Sequence, residues 1–392
     1  MEGTISISSS SSKRVIRTAQ DEEDEDGNDD LLVEILSRVP YKTLIRSKCV
    51  SRRWRRVISH PDNRRRLPRY RLHNTIAGIF YYSNHELQFY GLPGEPSPLI
   101  DASFPFLPKC ERLKLIDSCN GFLLCLCSKF TDPKKFNYAV CNPATKKWAA
   151  LPDSTGCLRR PHLGFDPAVS SHFYVFELVV NWLENIFCGK SQCSGLRIYS
   201  SNTGVWSDKI DSGWGVEVKI NGELKSVFFN GMLHVVAMES SVVAVVDVQG
   251  KNWRTIPLPH KEGSHPQENF IGLSQGLLCF VTTEKYDGSK LSVWVLDVYF
   301  RDQWTLHHIV SCMDLSWTSM MDPDILHDYN LVSIQERKMF FIYHDRYDND
   351  HKIMSYGVDS GKVCFLHSFG YNCVKPYLSY LPLLLQSLAD GP

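Results

Sequence analysis

Gly272-Leu273-Ser274-Gln275-Gly276 fits G-x-S-x-G, the spacing that presents a nucleophilic serine on a strand-to-helix turn in one class of hydrolases. Here Leu277-Leu278-Cys279-Phe280-Val281 follows, a strand pattern, so Ser274 is expected to mark a turn at the head of a strand. Asp345, Asp348, Asp350 and His351 are rich in oxygen ligands but lack the regular carboxylate spacing and distal glutamate of a calcium loop. They read as a hydrated hairpin turn. Cys125 and Cys127, two apart, share one face of a strand, yet no second Cys or His pair completes four zinc ligands. His307 and His308 are adjacent in a strand and face opposite ways. Spacing therefore assigns no catalytic residue, no metal and no cofactor.

Two other groups could bind rather than react. Between Lys42 and Arg71 there are 12 basic residues against one acid, Asp62. The runs 52–56 (RRWRR) and 64–66 (RRR) could serve nuclear import or attract an acidic partner. Direct nucleic-acid binding is not expected, because the arginines alternate with apolar helix positions and no base-stacking platform lies near. Among the tryptophans, Trp148, Trp206, Trp253 and Trp304 recur at intervals of 58, 47 and 51 residues, which points to a structural repeat. Trp182, Trp214 and Trp317 stand off that repeat, beside Gly, Ser or Asn, and read as surface anchors for a bound protein.

The elements that carry these residues follow from length and pattern. The chain has 392 residues, more than one ordinary core needs, with 43 Lys+Arg balancing 43 Asp+Glu. Thirteen cysteines contain no C-x-x-C pair, no N-x-[ST] site occurs, and the first residues lack the apolar stretch of a signal peptide. The longest apolar runs, such as 242–246 (VVAVV), are far shorter than a membrane span. The expectation is a reducing compartment, cytosol or nucleus, without a membrane.

Residues 1–28, with serines 8–12 and acids 21–26, read as a disordered tail. From Asp29 the period is helical: Leu31, Leu32, Ile35, Leu36 and Val39 make one broad apolar face that Pro40 ends. A second short segment carries Leu44 and Ile45. A third starts at Ser51, a good N-cap, and carries Trp54, Val57 and Ile58 up to His60-Pro61. Three helices this short show more apolar surface than they can hide from one another. Beyond residue 72 the pattern becomes short strands and turns, in a repeat of a turn-plus-strand (118–127, 229–238, 273–282) and a strand–turn–Trp unit. Repeats of about this length are propeller blades of four strands each. Five are recognisable, and the strands near 75–91 and 371–386 are expected to join the ends into a sixth, since closure removes open sheet edges.

The segment 29–61, DDLLVEILSRVPYKTLIRSKCVSRRWRRVISHP, closely resembles the F-box of plant F-box proteins. The repeats, in blocks such as CNGFLLCLC and YAVCNPATKKWAALP, look like the F-box-associated, kelch-like domain of the same family. The implied architecture is α+β and multidomain: a small three-helix F-box at 29–66, then an all-β propeller-like domain at 72–386 with about six blades. The implied role is that of a substrate receptor in an SCF ubiquitin ligase, itself not an enzyme. The F-box would dock on a SKP-type adaptor, and through it on cullin and RING subunits, while the β domain selects an unidentified target. Carried over by position, the adaptor-binding set is Leu31, Leu32, Ile35, Leu36, Val39, Pro40, Leu44, Cys49, Val50 and Trp54. Some of these must hold the helices together, and the sequence does not divide them.

One departure from the family pattern matters. The Leu-Pro that usually precedes the first Asp is replaced by Gly27-Asn28. Loss of one leucine's burial is expected to weaken docking by about 1–2 kcal/mol. That keeps an alternative open, a protein-binding scaffold on the propeller with a degenerate F-box. An enzyme built on the propeller would need convergent carboxylates or a nucleophile beside a base, and no such set assembles from spacing.

Overall fold

The acidic pair Asp29-Asp30 opens helix α1 (Asp29–Leu36), where negative charge favours the helix dipole. Arg53 holds Asp29 at 2.7 Å and Arg66 holds Asp30 at 2.6 Å, so both acids are also tied to later parts of the chain. Helix α2 (Tyr41–Ser47) follows. Helix α3 (Arg52–Ser59) begins where the Ser51 side chain accepts from the Trp54 N–H at 3.1 Å, the cap that the sequence foretold. Val33, Leu36, Leu44, Val57, Ile58 and Leu67 form the buried centre of this unit, with Leu32, Val39 and Trp54 packed against it.

The computed structural model describes residues 29–39, 41–60, 63, 66–67, 76–93, 100–107, 112–128, 136–153, 159–167, 169–182, 191–219, 225–237, 240–259, 270–274, 276–283, 290–311, 329–335, 338–345 and 349–383. The chain divides between Leu72 and His73 into two compact units. The second holds six antiparallel sheets. The first blade is β3 (Arg112–Cys119), β4 (Phe122–Ser128), β5 (Phe136–Asn142) and β6 (Lys147–Ala150). The second is β7 (Arg159–Gly164), β8 (Tyr174–Trp182), β9 (Ser191–Ser200) and β10 (Val205–Trp206), with β11 (Ile210–Asp211) also on β9. The third is β12 (Ser226–Phe229), β13 (Met232–Ala237), β14 (Val242–Asp247) and β15 (Trp253–Pro257). The fourth comprises β16 (Phe270–Ser274), β17 (Leu277–Thr283), β18 (Lys290–Val298) and β19 (Gln303–Ser311). The fifth comprises β20 (Tyr329–Gln335), β21 (Lys338–Asp345), β22 (Asp350–Gly357) and β23 (Lys362–Ser368).

The sixth blade joins the two ends of the unit, as expected from sequence. β1 (Gly78–Ser83) pairs on one side with β2 (Glu86–Gly91) and on the other with β24 (Cys373–Tyr380). The innermost strands β3, β7, β12, β16, β20 and β24 touch in that order, and β24 touches β3 again, so the ring is closed. Side-chain bonds fasten the joint: Ser118 Oγ donates to Ser379 O at 2.8 Å and Asn142 Nδ2 to Leu383 O at 2.7 Å.

The cores lie between blades, which is why strands such as β14 (VVAVVD) are apolar on both faces. Phe176, Leu196 and Ile198 of the second blade meet Phe228, Leu233 and Val235 of the third. The third meets the fourth through Val243, Ile256, Ile271 and Phe280. The recurrent tryptophans serve the same joints. Trp206 Nε1 donates to Pro152 O at 3.0 Å and Trp304 Nε1 to Pro257 O at 2.8 Å, each reaching the end of the preceding blade. Asn120-Gly121 and Asn230-Gly231 sit at positive φ in two-residue turns between the first and second strands of their blades, the conformation that Asn-Gly adopts most readily.

Connections differ between the two ends of the ring. Links from first to second strand are two residues long at 120–121, 230–231, 275–276 and 336–337, and nine residues long in the second blade, at 165–173. Links from one blade to the next run through 92–111, 212–225, 258–269 and 312–328. Long connections between elements are the usual carriers of recognition.

Candidate docking face and central channel

In the helical unit the structure divides the residues that the sequence left together. Val33 and Leu36 turn inward from α1, whereas Leu31 and Ile35, one turn apart on its other side, are 59% and 53% exposed. Val50 is 64% exposed and Cys49 is exposed beside it, in the turn between α2 and α3. Leu36 and Leu44 are corrected from adaptor-facing to structural: both are buried, because α2, α3 and Leu67 cover that side of α1. Leu32, Val39 and Trp54 are half-buried against the same centre. Pro40, Gly27 and Asn28 lie outside the described residues. Arg46, Arg52 and Arg55 are exposed, so the apolar positions have cationic neighbours in sequence on both sides. The unit thus presents apolar side chains beside positive charge.

The three loop tryptophans fare differently. Trp214 is corrected: it is buried, its indole meets Trp253 edge-on at 4.7 Å, and its Nε1 donates to Val245 O at 3.0 Å. It packs between the second and third blades and offers nothing to a partner. Trp182 ends β8, paired with Ser191, and its side chain is outside the described residues. Trp317 also falls outside them. The Ser274 turn joins β16 to β17, with Ser274 opposite Leu277, so this serine sits on a hairpin and not on a nucleophile elbow. Asp350 accepts from the Gly370 N–H at 2.7 Å and from Ser368 Oγ at 2.6 Å, which makes it a loop fastener. His307 pairs with Asp297 at 3.3 Å.

The central channel of the propeller is a concavity of about 820 Å³, lined by the six innermost strands. Asp117 lies within it, and its two oxygens accept from the Ser118 and Leu163 N–H groups at 2.8 Å each. Burial raises its pKa to about 6, and those two hydrogen bonds only partly offset the loss of water. Burial likewise pushes the Cys119 thiol far up, so it stays protonated and unreactive. His162 Nδ1 and Ser226 Oγ are hydrogen-bonded at 2.8 Å, and Asn120 Nδ2 donates to Phe165 O at 2.7 Å. A serine beside a histidine has the parts of a nucleophile and base. Here the bond crosses from β7 to β12, as the bond from Leu163 to Asp117 crosses from β7 to β3. These polar groups stitch neighbouring inner strands together. Sequence reasoning passed over all of them, because six distant segments each contribute a few polar residues without a motif. The one available signal was position, on the first strand of a blade.

Comparisons with known proteins agree with this anatomy. Residues 28–66 match the family model described as F-box domain, and residues 79–354 match "F-box protein At3g26010-like, beta-propeller". F-box protein At5g07610 of Arabidopsis thaliana is 30% identical over 283 residues, covering 69% of this chain and 67% of that protein. F-box protein At5g49610 of the same plant is 25% identical over 306 residues, covering 72% and 78%.

Proposed function

The chain belongs to the F-box proteins that carry an At3g26010-like β-propeller, and on that premise we propose that it is a substrate-receptor subunit of an SCF-type ubiquitin ligase. Exposure of Leu31, Ile35 and Val50, on a helical unit whose own core closes without them, carries the reading. Three bulky aliphatic side chains in water on so small a unit are what a permanent partner would cover. That partner is a SKP-type adaptor, which links the chain to cullin and RING subunits. The propeller holds the target, and its long connections supply the contacts. Chemistry belongs to the other subunits; the receptor's contribution is to hold the target close, so that transfer becomes effectively intramolecular. The assembly works in the cytosol or nucleus, where the thirteen cysteines remain thiols.

Co-purification of the full chain with a SKP adaptor tests this. Wild type is compared with Leu31→Arg plus Ile35→Arg, which leaves the buried centre intact. Wild type should retain the adaptor and the double variant should lose it with unchanged far-UV circular dichroism. Failure of folded wild type to recover any adaptor would end the ligase reading. Full retention by the double variant would move docking off this face of α1.

A further inference from the structure

The central channel has two unlike ends. Where the inner strands begin, its lining includes Lys114, Lys225, Asn330 and Lys375; where they finish it includes Phe228, Leu273 and Leu381. Lys114 and Lys375 stand near the starts of β3 and β24, which are neighbours in the ring, and both are exposed. Among the described residues neither has a carboxylate within ion-pair distance. Asp117, the one acid among the described lining residues, is half-buried and held by two main-chain N–H groups. Ser118 with Ser379 and His162 with Ser226 are engaged in holding the ring together. Like charges gathered at a concave, low-dielectric mouth focus a positive potential and draw in an oppositely charged ligand. The same end of the ring carries the long inter-blade connections.

We propose that the lysine end of the channel captures an acidic segment of the recruited protein, its carboxylate or phosphoserine groups meeting Lys114 and Lys375 while an apolar side chain points toward Leu273 and Leu381. A volume of about 820 Å³ admits a few extended residues and excludes a folded element. The inference deepens the receptor reading and rests on it for the source of the segment. One competitor belongs to the chain itself: connection 312–328 carries Asp314, Asp322, Asp324 and Asp328 and no lysine or arginine.

The test is fluorescence anisotropy on the full chain with three short labelled peptides of one length: Glu/Ser/Leu, its phosphoserine form, and a Gln/Ser/Leu control. The first two arms separate carboxylate from phosphate as the preferred anion, and binding of either is the expected result. Lys114→Glu with Lys375→Glu should weaken binding about tenfold or more, and added salt should weaken wild type similarly. Lys362→Glu, exposed on β23, should change it less than about twofold. Should the charge-reversed pair unfold, as read by its urea midpoint, the same loss must appear in Lys114→Gln plus Lys375→Gln. Equal binding of the Gln control, an unchanged affinity in the double variants, or equal capture of a single-stranded oligonucleotide overturns the proposal. So does binding that appears only after the four aspartates of 312–328 become asparagine, since those would then be the occupant. The failures are separable. Adaptor recovery without peptide binding removes the channel alone, whereas peptide binding without adaptor recovery removes the ligase reading.

Discussion

His234 gives the propeller a measurable weakness in acid. It is buried in β13, its Nδ1 donates to Met232 O at 3.1 Å, and its Nε2 accepts from Tyr299 OH at 2.7 Å. Arg254 lies 4.4 Å from the centre of the Tyr299 ring. Burial lowers the His234 pKa from 6.5 to about 4; the nearby Arg254 charge adds to that and the Met232 carbonyl opposes it. The unfolded chain therefore takes up this proton near pH 6.5 and the folded chain only near pH 4. Stability from this site is complete above 6.5 and drains away as pH falls through that window, by about 3 kcal/mol at pH 4. Asp117 acts in the opposite sense. Its folded pKa of about 6 against 3.8 means that stability falls as pH rises through that interval. Wild type alone would blur the two effects, so the informative quantity is the difference from His234→Gln. That variant should be less stable at pH 7 by about 1–3 kcal/mol, because the Tyr299 hydroxyl loses a partner. The gap should then shrink or invert by pH 4, since only wild type has the histidine to protonate. Urea unfolding followed by tryptophan fluorescence at pH 7, 6, 5 and 4 measures it. A gap constant to within about 0.5 kcal/mol across that range would refute the reasoning.

Other substitutions test the remaining structural assignments. Leu36→Ala should destabilise the helical unit by about 2–5 kcal/mol in chemical denaturation, whereas Leu31→Ala should stay within about 0.5 kcal/mol and show its effect only in adaptor binding. Trp214→Ala should cost the propeller about 3–5 kcal/mol, the signature of a core residue and not of a surface anchor. Gly121→Ala should lower the unfolding midpoint, because Gly121 has φ +89° and an added Cβ would run into Leu383. Gly27→Leu with Asn28→Pro should raise adaptor affinity about 5- to 30-fold by titration calorimetry, the equivalent of one leucine's burial.

The legible parts of this fold were those specified by local rules. Ser51 caps the start of α3 and His60 ends it, and the tryptophan interval in the sequence matches the blades. Partnership across the structure was not legible. Leu31, Leu32, Val33, Ile35 and Leu36 are interchangeable as apolar letters, and only the positions of Leu44, Val57 and Leu67 show that Val33 and Leu36 belong inside. Trp214 looked like a surface residue because it stands between two glycines and off the repeat. Gly213 in fact permits the close approach of Trp253, where a Cβ would collide with the indole. The channel was invisible for a different reason. Asp117, His162 and Ser226 are separated in sequence and meet only when β3, β7 and β12 take their places around the axis.

The pairing of β24 with β1 and its contact with β3 mean that the first and last strands of the ring depend on each other across nearly the whole domain. On the ribosome, β1 and β2 emerge early and must wait for residues 373–380 before their blade has an inner strand. Until then β1 keeps one raw hydrogen-bonding edge, and β3 and β20 lack the neighbour that separates them. A message truncated before Cys373 would yield a chain with five blades and an open seam, a shape that chaperones and proteases recognise. Fusions placed near Tyr380 face the same constraint, so reporters are better carried at the other terminus.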